Sequence, residues 1–366
     1  MKTDSKNNYM LQGPLSYKGY DWWWHSFTGI NAKTGEERSF FIEYYVMNPA
    51  RGGARAQFTE TGAKVPAYVM IKAGSWGKDA RQLHRFFGTS ELETDPTELR
   101  IVVGDCFLSD EILKGSVTVS PTTAKEHPEY MSDTGSMSWL LRIDRLIPFD
   151  VGYGTSSPLR FLNAFSMYWH AAGMKAAYSG TVYYNGEKYT VSPETCCGYA
   201  DKNWGSEFTK PWVWLSSCHL RRKGEREYLQ DTAFDFGGGR PKVFGIPIER
   251  TLLGKIRYEG KDFEFNFSKF WTFTQTKFKC SVTETQVTWH VRMANRSGAI
   301  EIKAVCPKEE MLKIRYTSPS GEKTFGELWN GGTGKATVKL YKRGVSGLRL
   351  IADLVADHLG CEYGEK

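Results

Sequence analysis

The chain's 366 residues exceed what one hydrophobic core usually organises, which favours two domains of roughly 150 to 200 residues each. With 12 Trp, 19 Tyr and 21 Phe, and 40% hydrophobic residues overall, it carries far too much buriable surface for a disordered protein. The formal charge of +7, from 48 basic and 41 acidic residues spread along the chain, excludes the clustered basic face of a nucleic-acid-binding protein.

Met1 to Met10 are polar, with no apolar stretch of a secretory signal, and Lys2 stands where a myristoylation signal needs glycine. No run of 18 apolar residues occurs either, so the expectation is a cytoplasmic protein without a membrane-spanning helix. Residues 1–15 read as a polar tail. Trp22, Trp23 and Trp24 follow, expected as core and edge packing, with one of them a candidate for lining a cavity.

Period-two alternation and hairpin turns then dominate. Phe27 to Phe41 turns at Lys33–Gly35, Thr181 to Val191 turns at Asn185–Gly186, and Leu253 to Phe267 turns at Glu259–Gly260. Such spacing predicts an all-β sandwich or barrel architecture, in which closure or packed sheets remove exposed edges. A domain boundary is expected near residue 190, giving domains over 16–190 and 191–366. Pro148 to Gly173 starts with turn chemistry at Gly152, Gly154 and Pro158 and runs into aromatics. It suits either a loop with a strand behind it or a lid over a cavity, and whether it touches a membrane to collect a lipid stays open. Only Ser346 to Leu359 reads as a helix, with Leu348, Ile351, Leu354, Val355 and Leu359 on one stripe and Gly360 as its stop.

The densest unusual segment is Gly198 to Leu215. Asp201, Lys202 and Asn203 precede Trp204, and Trp212 and Trp214 stand two apart, which in a strand puts both indoles on one face. A carboxyl against such an apolar wall is desolvated, its pKa rises, and it becomes a proton donor near neutral pH; pairing with Lys202 would instead hold it ionised. The same residues also suit a turn in which Asp201 caps backbone amides. Asp231 and Asp235 are read as facing the same way on a solvated strand face rather than as a second acid, His170 as a buried barrel histidine rather than a base, and His219 as structural, on the face opposite Trp212 and Trp214.

Seven cysteines at irregular spacing fit reduced thiols, and their only close groupings with each other or with histidine are Cys196–Cys197 and Cys218–His219, so no metal site is expected. A GxSxG elbow and a phosphate-binding GxxxxGK[ST] loop are both absent, and Gly237–Gly239 is not a phosphate loop.

Asp201 to Gly205, followed by Phe208, Pro211 and the Trp212/Trp214 pair, resembles the signature of the tocopherol cyclase family, which has Glu in place of Asp201. Met174 to Gly180 entering the Asn185–Gly186 hairpin, Phe236 to Arg240, Gly245 to Pro247 and the Tyr258–Gly260 hairpin are similar to the family's further segments in the same order, and Gly19 to Trp24 more loosely to its opening. The resemblance implies two lipocalin-like barrel or sandwich domains, related to carotenoid 1,2-hydratase and fungal Diels-Alderases. It also implies a cofactor-independent cyclase or isomerase, or a hydratase-type lyase, that protonates a hydrophobic isoprenoid, prenyl-quinol or polycyclic substrate. On that reading Asp201 and Lys202 are catalytic, and Asn203, Trp204, Trp212, Trp214, Trp169 and Tyr199 bind substrate. Ser216, Ser217 and Cys218 depart from the family's Gln and Asn, and Lys202 stands where hydratase relatives have His. A non-catalytic carrier or sensor of a hydrophobic small molecule is the alternative.

Overall fold

The computed structural model describes residues 5–149, 159, 161–162, 164–322 and 328–365. Apart from the helical turns Pro14–Tyr17 and Pro121–Glu126 and short 3-10 segments, its regular structure is antiparallel strand. The three hairpins form where expected. Asn185 and Gly186, with φ of 49° and 84°, close Met167–Tyr184 onto Glu187–Val191, and Glu259 and Gly260 do the same at 45° and 79° between Thr251–Tyr258 and Lys261–Asn266. Both turns have the two consecutive positive φ values that match the twist of the flanking strands.

Two large curved sheets result, the all-β lipocalin-like architecture expected. The first, of 12 strands, runs from Tyr20 to Gly205, and the second, of 11 strands, from Trp212 to Gly364. The sheets change over between Gly205 and Trp212, because Gly198–Gly205 inserts between Tyr20–Asn31 and Met167–Tyr184 of the first sheet. The lid-like reading of Pro148–Gly173 falls partly on residues 150–158, 160 and 163, outside the described residues; Met167 onward is strand.

The C-terminal helix is corrected. Gly347–Gly364 is an 18-residue strand lying between Leu328–Gly344 and Trp212–Ser217. Its buried set is Ala352, Leu354 and Ala356, then Leu359 and Cys361. The period is two, with a break between 356 and 359, and that break moves Leu359 into helix-like spacing with Ile351 and Val355. Small Ala352 and Ala356 carry the true alternation but little hydrophobic signal.

Alternation also divides the core. Trp23, Phe27, Tyr44 and Tyr178 fill the first sheet's concave interior, while Val213, Leu215, Phe236 and Trp289 fill the second's. Trp24, Phe41, Tyr45, Trp169, Trp212 and Trp214 form a third cluster between the sheets. Among the described residues no helix is long and apolar enough to cross a membrane.

Candidate active site between the sheets

Gly198–Gly205 supplies the centre of the site. Tyr199 and Asp201 turn towards the second sheet, and Lys202, one residue on, points the other way. Asp201 accepts from the Trp169 indole at 2.8 Å and from the Tyr199 hydroxyl at 3.1 Å, both at Oδ2. Its Oδ1 is enclosed without a hydrogen-bond partner, although the residue as a whole is only half-buried. Burial therefore dominates and pushes the Asp201 carboxyl up to about 8, against the opposing pull of the Trp169 and Tyr199 donors; the Glu362 and Glu43 carboxylates push the same way as burial.

Across the interface stands Asp235, from strand Ala233–Gly239 of the second sheet. It is fully buried, 2.8 Å from the Tyr199 hydroxyl, and accepts from the Trp214 indole at 2.9 Å. Burial, then the neighbouring Asp201, holds Asp235 well above the usual carboxylate range. The solvated-face reading is thus corrected for Asp235. It holds for Asp231, which lies outside the strand, exposed and paired with Arg257 at 2.7 Å. Tyr199, itself kept neutral by burial and the two flanking acids, touches both carboxyls with one phenolic proton. One contact at most uses that proton, so the other needs a proton on a carboxyl, which agrees with the raised affinity of both acids.

Glycines let the walls close. At Gly237 an added Cβ would sit 3.4 Å from the Trp169 ring, and at Gly360 it would fall 2.4 Å from the Trp214 ring. Trp212 donates to Glu362 at 2.5 Å, and the Asn330 amide donates to the same carboxyl at 2.6 Å; burial raises Glu362 as well. On the first sheet, Lys72, Glu43, Trp24 and Asp201 lie side by side on neighbouring strands. Lys72 and Glu43, both fully buried, pair at 2.6 Å, and Tyr316 closes over them. A narrow crevice of about 10 Å³ lined by Trp22, Trp212, Tyr316, Phe208 and Glu362 lies beside this array, and a second of about 160 Å³ shares Met167, Phe208 and Thr209 with it.

Of the residues expected in the site, Asp201, Tyr199, Trp169 and Trp214 are joined in one hydrogen-bonded group, and Trp212 lies one step away on Glu362. Asn203 is on the same side of the strand but is taken up by Tyr20, whose hydroxyl donates to it at 2.9 Å. Two expectations change. Lys202 does not pair with Asp201: fully buried, it is ion-paired with Asp21, with its ammonium 3.7 Å from the Trp23 ring. Burial pulls Lys202 down and raises Asp21, and their mutual attraction opposes both shifts. Trp204 stacks on Tyr168 at 5.4 Å, on the Lys202 side of the strand, because it is odd-numbered steps from Asp201. His170 is buried as expected. Glu362, Glu43 and Lys72 join the site unannounced, and Asp235 joins it on its less favoured reading as a second acid. Asp235 had a visible signal in Phe234 and Phe236 on either side, whereas Glu362 was hidden by the helical reading of its strand.

Residues 33–365 match the tocopherol cyclase-like family. The chain belongs to that family. Its structure is similar to that of a putative AttH from Nitrosomonas europaea, with a TM-score of 0.51 and 11% identity over 97% of this chain and 94% of the other. Kievitone hydratase from Nectria haematococca aligns with a TM-score of 0.49 and 12% identity over 96% and 90%, and CghA with 0.47 and 9% over 95% and 89%. At such identities the likeness to the first bears on the fold alone. No curated protein matches the sequence.

Proposed function

We propose that this tocopherol cyclase-like protein is a cofactor-independent enzyme that protonates a carbon–carbon double bond of a hydrophobic substrate held between the two sheets. The observation that carries this reading is the Asp201–Tyr199–Asp235 chain, whose hydrogen bonding requires a protonated carboxyl inside an aromatic enclosure. Asp201 delivers the proton and is left as a carboxylate. The carbocation is lined by π faces such as Trp24 and Trp214 with water excluded. A hydroxyl of the substrate closes on the cation, and its proton returns to the carboxylate, so the reaction is a net isomerisation; a water in place of that hydroxyl gives a hydratase. Burial holds Asp201 in its protonated form, Tyr199 and Asp235 orient it, and Lys202, ion-paired with Asp21, does not hold it ionised. The outer crevice at Met167, Phe208 and Thr209 marks the side from which an isoprenoid, prenyl-quinol or polycyclic substrate would enter, with the packing at Trp22 opening to admit it. Phe244 and Ile246, 61% and 69% exposed on the hairpin beside the outer crevice, would give that route a contact with a membrane surface; vesicle co-sedimentation lost in the double F244S/I246S variant tests this.

The decisive experiment incubates the protein with prenylated quinols, terpenoids and sterols and separates products from unchanged ligand by mass spectrometry. Asp201→Asn should abolish turnover while leaving ligand binding intact. Full activity in that variant would remove Asp201 as the acid, and ligand retained without conversion across the whole panel would make the protein a carrier.

A further inference from the structure

We infer a zinc-class metal site at a different place in the seam between the sheets, formed by Cys197, His219 and His358. No two of these are close in sequence in a way that suggests ligation. The fold brings them together from three segments: Cys197 ends the connection into Gly198–Gly205, His219 begins the strand His219–Arg222, and His358 lies inside Gly347–Gly364. One donor atom of each, a thiol sulfur and two imidazole nitrogens, lies within 4.8 Å of the others. Tetrahedral zinc, with Zn–S of about 2.3 Å and Zn–N of about 2.0–2.1 Å, needs its ligands about 3.5 Å apart. Closing that difference takes a shift of about 1 Å, within reach of side-chain rotation at half-buried positions.

Three independent features single the trio out. His358 has φ of 47°, left-handed for a non-glycine residue inside a strand, where the pairing with Leu328–Gly344 shifts between Gly334 and Ala336. A bulge of this kind takes a side chain out of alternation and re-aims it, at a conformational cost that a packing histidine would not need. His219 keeps Nδ1 buried with no hydrogen-bond partner, a state a metal would relieve. The rings are also braced as metal-bound histidines ordinarily are. The Glu37 carboxylate lies 3.3 Å from Nε2 of His358, and His219 stacks on Tyr228 at 3.4 Å, whose hydroxyl donates to Asp357 at 3.0 Å.

One thiolate with two imidazoles is a borderline-soft donor set that favours Zn²⁺ over Mg²⁺ or Ca²⁺. Binding exchanges the Cys197 thiol proton for the metal and releases that proton to solvent. A groove of about 630 Å³ bordered by Glu37, Tyr228 and His358 gives the ion access and leaves the fourth position to water. Cys197 comes from the first sheet's side and both histidines from the second, so a bound ion ties the two sheets together. Cys197 is also two residues from Tyr199, which fixes the strand carrying the acid.

The test is a titration of chelator-treated full-length protein with Co²⁺, then displacement by Zn²⁺. A thiolate-to-cobalt charge-transfer band saturating at one Co²⁺ per chain is expected. Cys197→Ser should abolish the band, and His219→Gln or His358→Gln should weaken binding by 10-fold or more, while Cys196→Ser leaves it unchanged. Should Cys197→Ser fail to fold, alkylation of the wild-type protein read by mass spectrometry serves in its place, with Zn²⁺ expected to slow modification of Cys197 at least 10-fold. Absence of the band at micromolar protein, a band that survives Cys197→Ser, or alkylation of Cys197 unaffected by Zn²⁺ would overturn the site.

Discussion

Asp201→Asn should change how stability depends on pH, independently of any substrate. In the folded chain the carboxyl holds its proton up to about pH 8, whereas in the unfolded chain it lets go near 3.8. Between those values the native state binds one proton more than the unfolded state, so stability is fully present at low pH and falls as pH rises, by ~1.4 kcal/mol per pH unit for a group acting alone. The residue is half-buried, and screening of its exposed part reduces the total, so ~3 kcal/mol across the window is the working magnitude. Asn keeps a carbonyl to accept from Trp169 and Tyr199 and has nothing to titrate. Removing the Asp201 charge also lowers Asp235, which flattens the curve further. Urea denaturation at pH 5, 6, 7 and 8 measures this directly: wild type should lose stability more steeply than the variant, the two should lie closest at pH 5, and the variant should be the more stable at pH 8. Parallel curves would show that Asp201 titrates as an ordinary carboxylate and would refute the acid assignment.

Tyr199→Phe removes a donor that lowers the proton affinity of Asp201, so the alkaline limb of the turnover–pH profile should move to higher pH and turnover should fall ~10-fold or more; an unmoved limb would place Tyr199 outside the proton chain. Asp21→Asn leaves the Lys202 ammonium buried without its partner and should cost ~3–5 kcal/mol in chemical denaturation, most of it regained in the double D21N/K202M variant; full additivity of the two changes would contradict the pairing. Gly360→Ala brings a methyl 2.4 Å from a Trp214 ring pinned by its bond to Asp235, so it should destabilise by ~1–3 kcal/mol and alter the tryptophan fluorescence, and a neutral outcome would mean that the indole is free to move.

Much of this could be read from the chain. Hairpins at Asn185–Gly186 and Glu259–Gly260 are local devices, decided by two residues that accept positive φ, and they formed as read. The spacing of Trp212 and Trp214 correctly placed both indoles on one face because side-chain direction in a strand depends only on parity. Parity likewise sets Asp201 and Lys202 on opposite sides of their strand, so adjacency in sequence does not make them a pair. What stayed hidden depends on contacts between distant segments. Asp235 and Glu362 acquire meaning only from the second sheet's position over Trp169 and Tyr199, and Cys197 meets His219 and His358 only through the fold. The C-terminal strand was concealed by a bulge at His358, which converts period two into a passable imitation of period 3.6.

The buried Asp21–Lys202 pair has a bearing on the acid next to it. If Gly198–Gly205 slipped by a single position against Tyr20–Asn31, every side chain on it would change sides, carrying an ammonium into the cluster between the sheets and a carboxylic acid into the first sheet's apolar filling. Such a slip would also strand Asp21 without its counter-charge, under Trp23 and with the Met10 amide as its remaining donor. The lysine therefore acts as a key that fits one alignment only, and it makes the misaligned arrangement the expensive one.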